Sequence, residues 1–563
     1  MTQPESSAPT SESEHTVSGP DAASAGETPP PAPEPWTGER VREWNAYYDI
    51  YVMLAVLFLG FAVSANKISH SMIWSQLRAG QMMAAKGVPI PLTTDTISYS
   101  MEGQRWINIS WLFEWTHALL YDAASRLVPP NPNDVVSAGR RSEQVGAGAL
   151  VGLTVLVRVA TLLLLLGIRR SGPGLWWTAV CGTLALGAIY SPLGIMLGGI
   201  GGPAAVAPET WGQLFLALEL LLLHRTLNLG QPRAVFGLVP LFLLWANVSD
   251  SFLIGLLILA ASVLGRQIQK PRSTAEPDPL PFSRGLSLLG ASAAICLLNP
   301  SWHRAYLAAL EPFIQLFQAS GSVISSEQLS YFGKEIRGRS TDGSNNLWVY
   351  LIAYYCLIVL AGLASFVVNR KRFSLGRFLT FVVAALLWAL YIRFGVYFAI
   401  VFAAVLSLNG QEWYQDRFGT EGRLGWSWSL FSTGGRFVTI LVVFLLVAKC
   451  LTGYGRMPGE NVFGFGFNPD DFAFEAADYL RTAKIQGRIL NTTRLQGDSL
   501  AWKAFPLQRP YIDGRDHLFT REVQEELHKI RLALADDDVK VWKPLLDQHQ
   551  ISVVMIEPSS APR

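Results

Sequence analysis

The residues able to do chemistry are few and lie outside the apolar runs: the carboxylates Asp95, Glu102, Glu114 and Asp250, and the arginines Arg78 and Arg393. A carboxylate can take the proton of an attacking hydroxyl, and a guanidinium can hold a phosphate. Plainer readings stand beside these. Asp95, in Thr93-Thr94-Asp95-Thr96, has the neighbours of a turn or helix cap, and Arg78 has the reach to anchor its loop to lipid phosphates. Arg158 and Glu219 fall inside apolar runs. An unpaired charge there costs roughly 2.5–3.5 kcal/mol on insertion scales, so the expectation is a structural ion pair between them. No metal-ligand cluster, phosphate-binding loop, dinucleotide fingerprint or nucleophile elbow is present. No cofactor is therefore identified, and a divalent metal has no motif to support it. The phrase Gly198-Gly199-Ile200-Gly201-Gly202 reads as a tight outer turn or a close helix contact.

A membrane scaffold must position these groups. Half of the 563 residues are apolar and 16% are charged, with a mean hydropathy of +0.27 averaged over polar ends. The middle is therefore more hydrophobic than a soluble core requires. A net charge of +2 supplies no basic face for nucleic acid. The four cysteines all lie in apolar runs and imply no disulfide framework. Residues 1–44, dominated at their start by Ser, Pro, Glu and Ala, predict a disordered cytoplasmic tail. The tail lacks a secretory-signal pattern, so the apolar run at 51–65 is expected to be a retained anchor. Ten further apolar runs between residues 145 and 451 bring the expectation to eleven spans in a transmembrane domain of residues 45–453. Basic residues occupy alternate loops, among them Arg169 and Arg170, Arg225 and Arg233, and Arg370 to Arg377; the intervening short loops carry only Arg393. The positive-inside rule then puts the N-terminus in the cytoplasm and segments 67–144, 300–346 and 454–563 outside.

Within the first outer loop, 67–144, residues 111–127 carry apolar groups at helical spacing beside Glu114, His117, Asp122 and Arg126. They predict an amphipathic helix on the outer membrane face, with Trp106, Trp111 and Trp115 at headgroup depth. Residues 454–563 predict a small α/β domain able to fold by itself: helices near 470–482, 520–534 and 539–549, and strands at 488–491, 510–513 and 551–556. The loop Asp513-Gly514-Arg515-Asp516 reads as a tight turn with an Asp to Arg contact.

The first outer loop also carries three phrases, Trp74-Ser75-Gln76-Leu77-Arg78-Ala79-Gly80, Thr94-Asp95-Thr96-Ile97-Ser98-Tyr99 and Trp106-Ile107-Asn108-Ile109-Ser110-Trp111-Leu112. Trp245-Ala246-Asn247, Leu298-Asn299-Pro300 and Tyr511-Ile512-Asp513-Gly514-Arg515 follow in order. Together they resemble a large, mostly uncharacterised group of bacterial polytopic membrane proteins of the GT-C glycosyltransferase-like superfamily, over nearly everything after the tail. The resemblance implies an α-helical polytopic membrane protein of GT-C type in the bacterial inner (cytoplasmic) membrane. It implies transfer of a sugar from a polyprenyl-phosphate-type lipid carrier to an extracytoplasmic acceptor, with membrane lipid and a lipid-linked sugar as partners. In such proteins an acid usually follows the first span. Here Asn66-Lys67-Ile68-Ser69-His70-Ser71-Met72-Ile73 contains none, and the His-Gly that often follows the fifth-span Asn is replaced by Val248-Ser249-Asp250. Asp95, the first carboxylate after the first span, becomes the candidate catalytic base, and Arg78, Asp250 and Arg393 the candidate substrate-binding residues. The missing acid keeps a second reading open, a non-catalytic relative that binds a glycolipid or assembles with envelope enzymes. A transporter would show matched broken spans in two halves, and no clear pair is present.

Overall fold

The computed structural model describes residues 38–69, 73–87, 90–129, 135–170, 175–189, 206–269, 280–318, 347–391, 394–418, 426–453, 462–483, 485, 487–515 and 518–556. Most of the expected tail, the glycine cluster at 198–202 and Arg393 lie outside the described residues. In chain order the helices are α1 (Gly38–Ser64), α2 (Ile73–Ala85), α3 (Trp111–Ser125), α4 (Val135–Leu166), α5 (Leu175–Ile189), α6 (Pro208–Asn228) and α7 (Leu238–Val248). They continue with α8 (Phe252–Ile268), α9 (Phe282–Cys296), α10 (His303–Gln318), α11 (Leu347–Val368), α12 (Leu375–Leu390), α13 (Gly395–Phe418) and α14 (Trp426–Thr452). The C-terminal part adds α15 (Phe474–Thr482), β1 (Arg488–Asn491), α16 (Arg494–Lys503), α17 (Arg521–Ala535), α18 (Val539–Gln548) and β2 (Ile551–Met555).

The molecule is mostly helical and of membrane type. Among the described residues, four helical stretches are long and apolar enough to cross a membrane: Glu43–Ser64, Ala138–Leu166, Gly395–Arg417 and Thr433–Thr452. α7, α8, α9 and α12 carry apolar stretches of 10–17 residues, and α11 is an apolar helix of 22 residues, about the length of a straight crossing. α6, where the sequence places another span, is interrupted by Glu209, Glu219 and Arg225. These four stretches are those found among the described residues, and the eleven expected runs extend into residues outside them.

Two of the basic loops meet on one face of the bundle. Arg170, before α5, and Arg377, in the first turn of α12, both donate to the buried Glu412 of α13, Arg377 at 2.9 Å. Asn369 adds a third donor at 2.7 Å. One carboxylate with several charge-assisted partners holds together the ends of helices far apart in sequence.

In the C-terminal part β1 and β2 pair in parallel, with Ile489 opposite Val553 and Asn491 opposite Met555. The expected strand at 510–513 does not form, because the Asn491 side chain takes its place. Asn491 Oδ1 accepts from Tyr511 N at 2.8 Å, and Nδ2 donates to Ile512 O at 2.7 Å. An unexpected helix, α16, starts at a capping box in which Thr493 and Gln496 satisfy each other's backbone amides.

This part shares its core with the segment between α1 and α4. Met83, Ile97, Tyr99 and Trp106 pack in one cluster with Leu490, Tyr511, Ile512 and Ile530. Beside it Trp74 is enclosed by Tyr121, Phe467, Phe472, Phe474 and Trp502, with ring centroids 5.2–6.3 Å away. The C-terminal part also has a cluster of its own, Ala477, Leu480, Ile489, Leu500, Ala504 and Met555, so it combines an internal core with one shared with a distant segment. α3 is wedged into the same structure, with Glu114, His117 and Tyr121 on its buried face. Trp106 lies under a guanidinium rather than at a lipid interface, and Trp111 donates from Nε1 to Asn247 Oδ1 at 2.8 Å.

Candidate functional site

Asp95 is fully buried and both of its oxygens are in use. Oδ1 accepts from Ile97 N at 3.0 Å and from Arg515 Nη1 at 2.8 Å; Oδ2 accepts from Ser98 N at 3.1 Å and from the Ser98 hydroxyl. The loop that presents it closes on itself, with Asp95 N donating to Gln104 O and Gly103 N to Asp95 O, each at 2.9 Å. Gly103 takes a φ of +71°, a region glycine enters without steric cost. The turn reading of Thr93–Thr96 thus describes the local geometry.

Arg515 is equally enclosed. It donates to Asp513 from Nε (2.9 Å) and Nη2 (2.6 Å), and its guanidinium lies 4.8 Å from the Trp106 ring centroid. The expected Asp513 to Arg515 contact is present, and Asp95 completes it from across the chain. Around this triad Arg509 donates to Ile97 O (3.3 Å), Ser98 O (2.8 Å) and Glu102 (2.7 Å), while Ser100 donates to Tyr511 O. The loop phrase and the Tyr511–Arg515 phrase are thus two halves of one latch.

Two further acids line this junction. Burial, opposed by an Asn108 hydrogen bond of 2.6 Å, pushes Glu114 up to about 8. Burial and the neighbouring Asp513 carboxylate push Asp498 up to about 7; its Oδ1 accepts from Gly514 N at 2.8 Å. At neutral pH Glu114 holds its proton and acts as a neutral polar group.

Arg78 is engaged rather than free for a phosphate. It donates to Ala501 O (3.1 Å), Trp502 O (2.5 Å) and Gln81 (3.0 Å), with its guanidinium over the Trp502 ring. These carbonyls end α16, so Arg78 serves as that helix's C-terminal cap.

The remaining phrases meet at the turn between α7 and α8. Asn299 Nδ2 donates to Ala246 O at 2.7 Å, Trp111 reaches Asn247, and Trp245 Nε1 donates to Ser251 Oγ at 2.9 Å. Asp250 stands in this turn, half-buried, with Ser249 Oγ 3.4 Å from Oδ1. Of the candidate carboxylates it combines partial exposure with a polar setting. The expected Arg158 to Glu219 ion pair is not formed: both Glu219 oxygens lack a hydrogen-bond partner among the described residues. Glu219 instead packs against the close approach of α8, where a Cβ on Gly255 would lie 2.9 Å from Oε2.

Asp498, Arg509 and His117 were not singled out from the sequence, although the Thr493-x-x-Gln496 spacing marked the start of the helix that carries Asp498. Among the described residues no three His, Cys, Asp or Glu side chains are grouped to hold a metal ion.

No family model matches the sequence, and no curated protein matches it. Solved structures do. The oligosaccharyltransferase of Archaeoglobus fulgidus, tethered to an acceptor peptide containing the NVT sequon, superposes with a TM-score of 0.57 at 11% identity, covering 91% of this chain and 68% of the archaeal one. Its apo form gives 0.55 at 11% identity over 90% and 69%. Its complex with zinc and sulfate gives 0.52 at 12% identity over 90% and 67%. The chain thus has a fold similar to that of an archaeal oligosaccharyltransferase.

Proposed function

We propose that this chain is a glycosyltransferase of the bacterial inner membrane that moves a sugar from a polyprenyl-phosphate-type lipid carrier to an acceptor on the extracytoplasmic side. The observation that carries the reading is the GT-C-like fold over 91% of the chain, in which the family-like phrases come together. In this reading residues 45–453 hold about eleven spans and the N-terminal tail is cytoplasmic. Residues 454–563 form an extracytoplasmic α/β unit clamped to the first outer loop.

Asp250 is the base in this reading, because it is half-buried in the polar turn where the family-like phrases meet. The acceptor oxygen attacks the anomeric carbon, the bond from that carbon to the phosphate oxygen breaks, and the phosphate leaves with the electron pair. Asp250 takes the acceptor proton. Arg78 is committed to α16, so holding the phosphate falls to Arg393.

The test is complementation of a deletion strain with wild type or with Asp250→Asn. Abundance should be equal and transfer about 100-fold lower in the variant, the range general bases supply. Normal transfer by a stable Asp250→Asn protein removes Asp250 from the chemistry. Full engagement of Asp95, together with the missing acid at 66–73, favours a second reading, a non-catalytic glycolipid-binding or envelope-assembly relative. In that case Asp250→Asn leaves the phenotype untouched.

A further inference from the structure

His117 has no part in the chemistry above, yet its setting is that of a recognition group. It lies on the buried face of α3 at 1% exposure, with Nδ1 2.8 Å from Phe113 O. A carbonyl only accepts, so Nδ1 carries the proton and Nε2 presents a bare lone pair. Burial pulls the imidazole down to about 4, so the ring stays neutral through the physiological range. Among the described residues nothing donates to Nε2.

What surrounds the ring narrows the ligand. His117 stacks on Phe113 at 3.8 Å and meets Trp211 at 84° with centroids 6.3 Å apart. Trp211 is half-buried in the first turn of α6. The next residue, Gly212, abuts the α7–α8 turn so closely that a Cβ there would lie 2.2 Å from Ser251 Oγ and 2.8 Å from Tyr397 Oη. Ser251 is the chain neighbour of Asp250, so His117, Trp211 and Asp250 belong to one contiguous region. A neutral acceptor with no proton at Nε2 offers a phosphate nothing and an alkyl chain little. A hydroxyl satisfies it, and an indole beside it covers the apolar face of a sugar ring.

We propose that His117 is a positioning residue for the saccharide of the lipid-linked donor, with Nε2 accepting a ring hydroxyl and Trp211 packing against the ring. The assignment rests on the transferase reading above, and its test separates the two. The full chain in nanodiscs is titrated with a polyprenyl-phosphate hexose, with the same polyprenyl phosphate lacking sugar, and with free hexose. Wild type, His117→Phe and His117→Gln are compared at matched thermal stability.

Wild type should prefer the glycosylated lipid. His117→Phe should reduce that preference about 3- to 10-fold, the scale of one hydrogen bond. His117→Gln, whose amide oxygen can take the same hydroxyl, should retain most of it and keeps the test open if the Phe variant fails to fold. Equal preference in all three proteins overturns the role of His117 and leaves the transferase reading intact. Absence of any preference in wild type overturns both. Binding of free hexose without a preference between the two lipids would put the sugar on the acceptor side and overturn the donor assignment.

Discussion

Replacing Asp95 with Asn takes one charge from a buried triad and leaves Arg515 with Asp513 as its remaining carboxylate partner. Arg515 stays paired with Asp513, so the cost is that of a charge-assisted hydrogen bond, roughly 1.5–3 kcal/mol. The expected outcome for Asp95→Asn is therefore lower abundance and a lower Tm in detergent, with transfer per folded molecule near wild type. An unchanged Tm with transfer about 100-fold lower would return Asp95 to the role of base. The Asp513 to Arg515 contact was legible from a two-residue spacing. The Asp95 partner was not, since it stands 420 positions away and no local pattern records a pairing at that distance. Asp250 was visible as a carboxylate in a short turn, but its partial exposure, against the full burial of Asp95, emerges only when the turn is seen in place.

At the scale of elements, the latch joins two segments that share one hydrophobic cluster, beside a smaller one internal to the C-terminal part. Tyr99 Oη donates to Ile489 O at 3.1 Å beside β1, Tyr99 N donates to Pro510 O at 3.1 Å, and Trp74 fills the space between Phe474 and Trp502. Residues 468–558 expressed alone would expose the apolar side that Ile97, Tyr99 and Trp106 cover, and buried side chains of this size are worth about 1.5–3 kcal/mol each. The fragment is expected to unfold without a cooperative transition, and residues 73–127 joined to it by a linker should restore one. A sharp two-state melt of the isolated fragment would show that the shared core is dispensable. Strand β1 was read from the sequence at its observed bounds, because Arg-Ile-Leu-Asn is short and apolar between polar flanks. Helix α16 was missed, since Arg-Leu-Gln-Gly-Asp-Ser-Leu-Ala-Trp-Lys shows no apolar stripe. It is buried by contact with a neighbouring backbone, which Gly497 permits: a Cβ there would lie 1.8 Å from Ile512 O.

For the whole molecule, two sets of contacts tie distant segments together. In one, Glu412 gathers Arg170 and Arg377. The other set gathers the first loop, the α7–α8 turn and the C-terminal part through Trp111 to Asn247 and Asp95 to Arg515. The phrases meet in the second set, which is why their order along the chain was informative although each phrase alone was short. Individual span lengths were less legible, because apolar runs of similar composition fold into helices of unequal length. A transferase of the proposed kind consumes a lipid-linked sugar outside the cytoplasm. The most direct test is quantitative lipid analysis of cells with and without the protein. Loss of the protein should raise a polyprenyl-phosphate-linked sugar and remove a glycan from the envelope, with both restored by the wild-type chain; lipid-linked sugars and glycans identical in the two strains would contradict it.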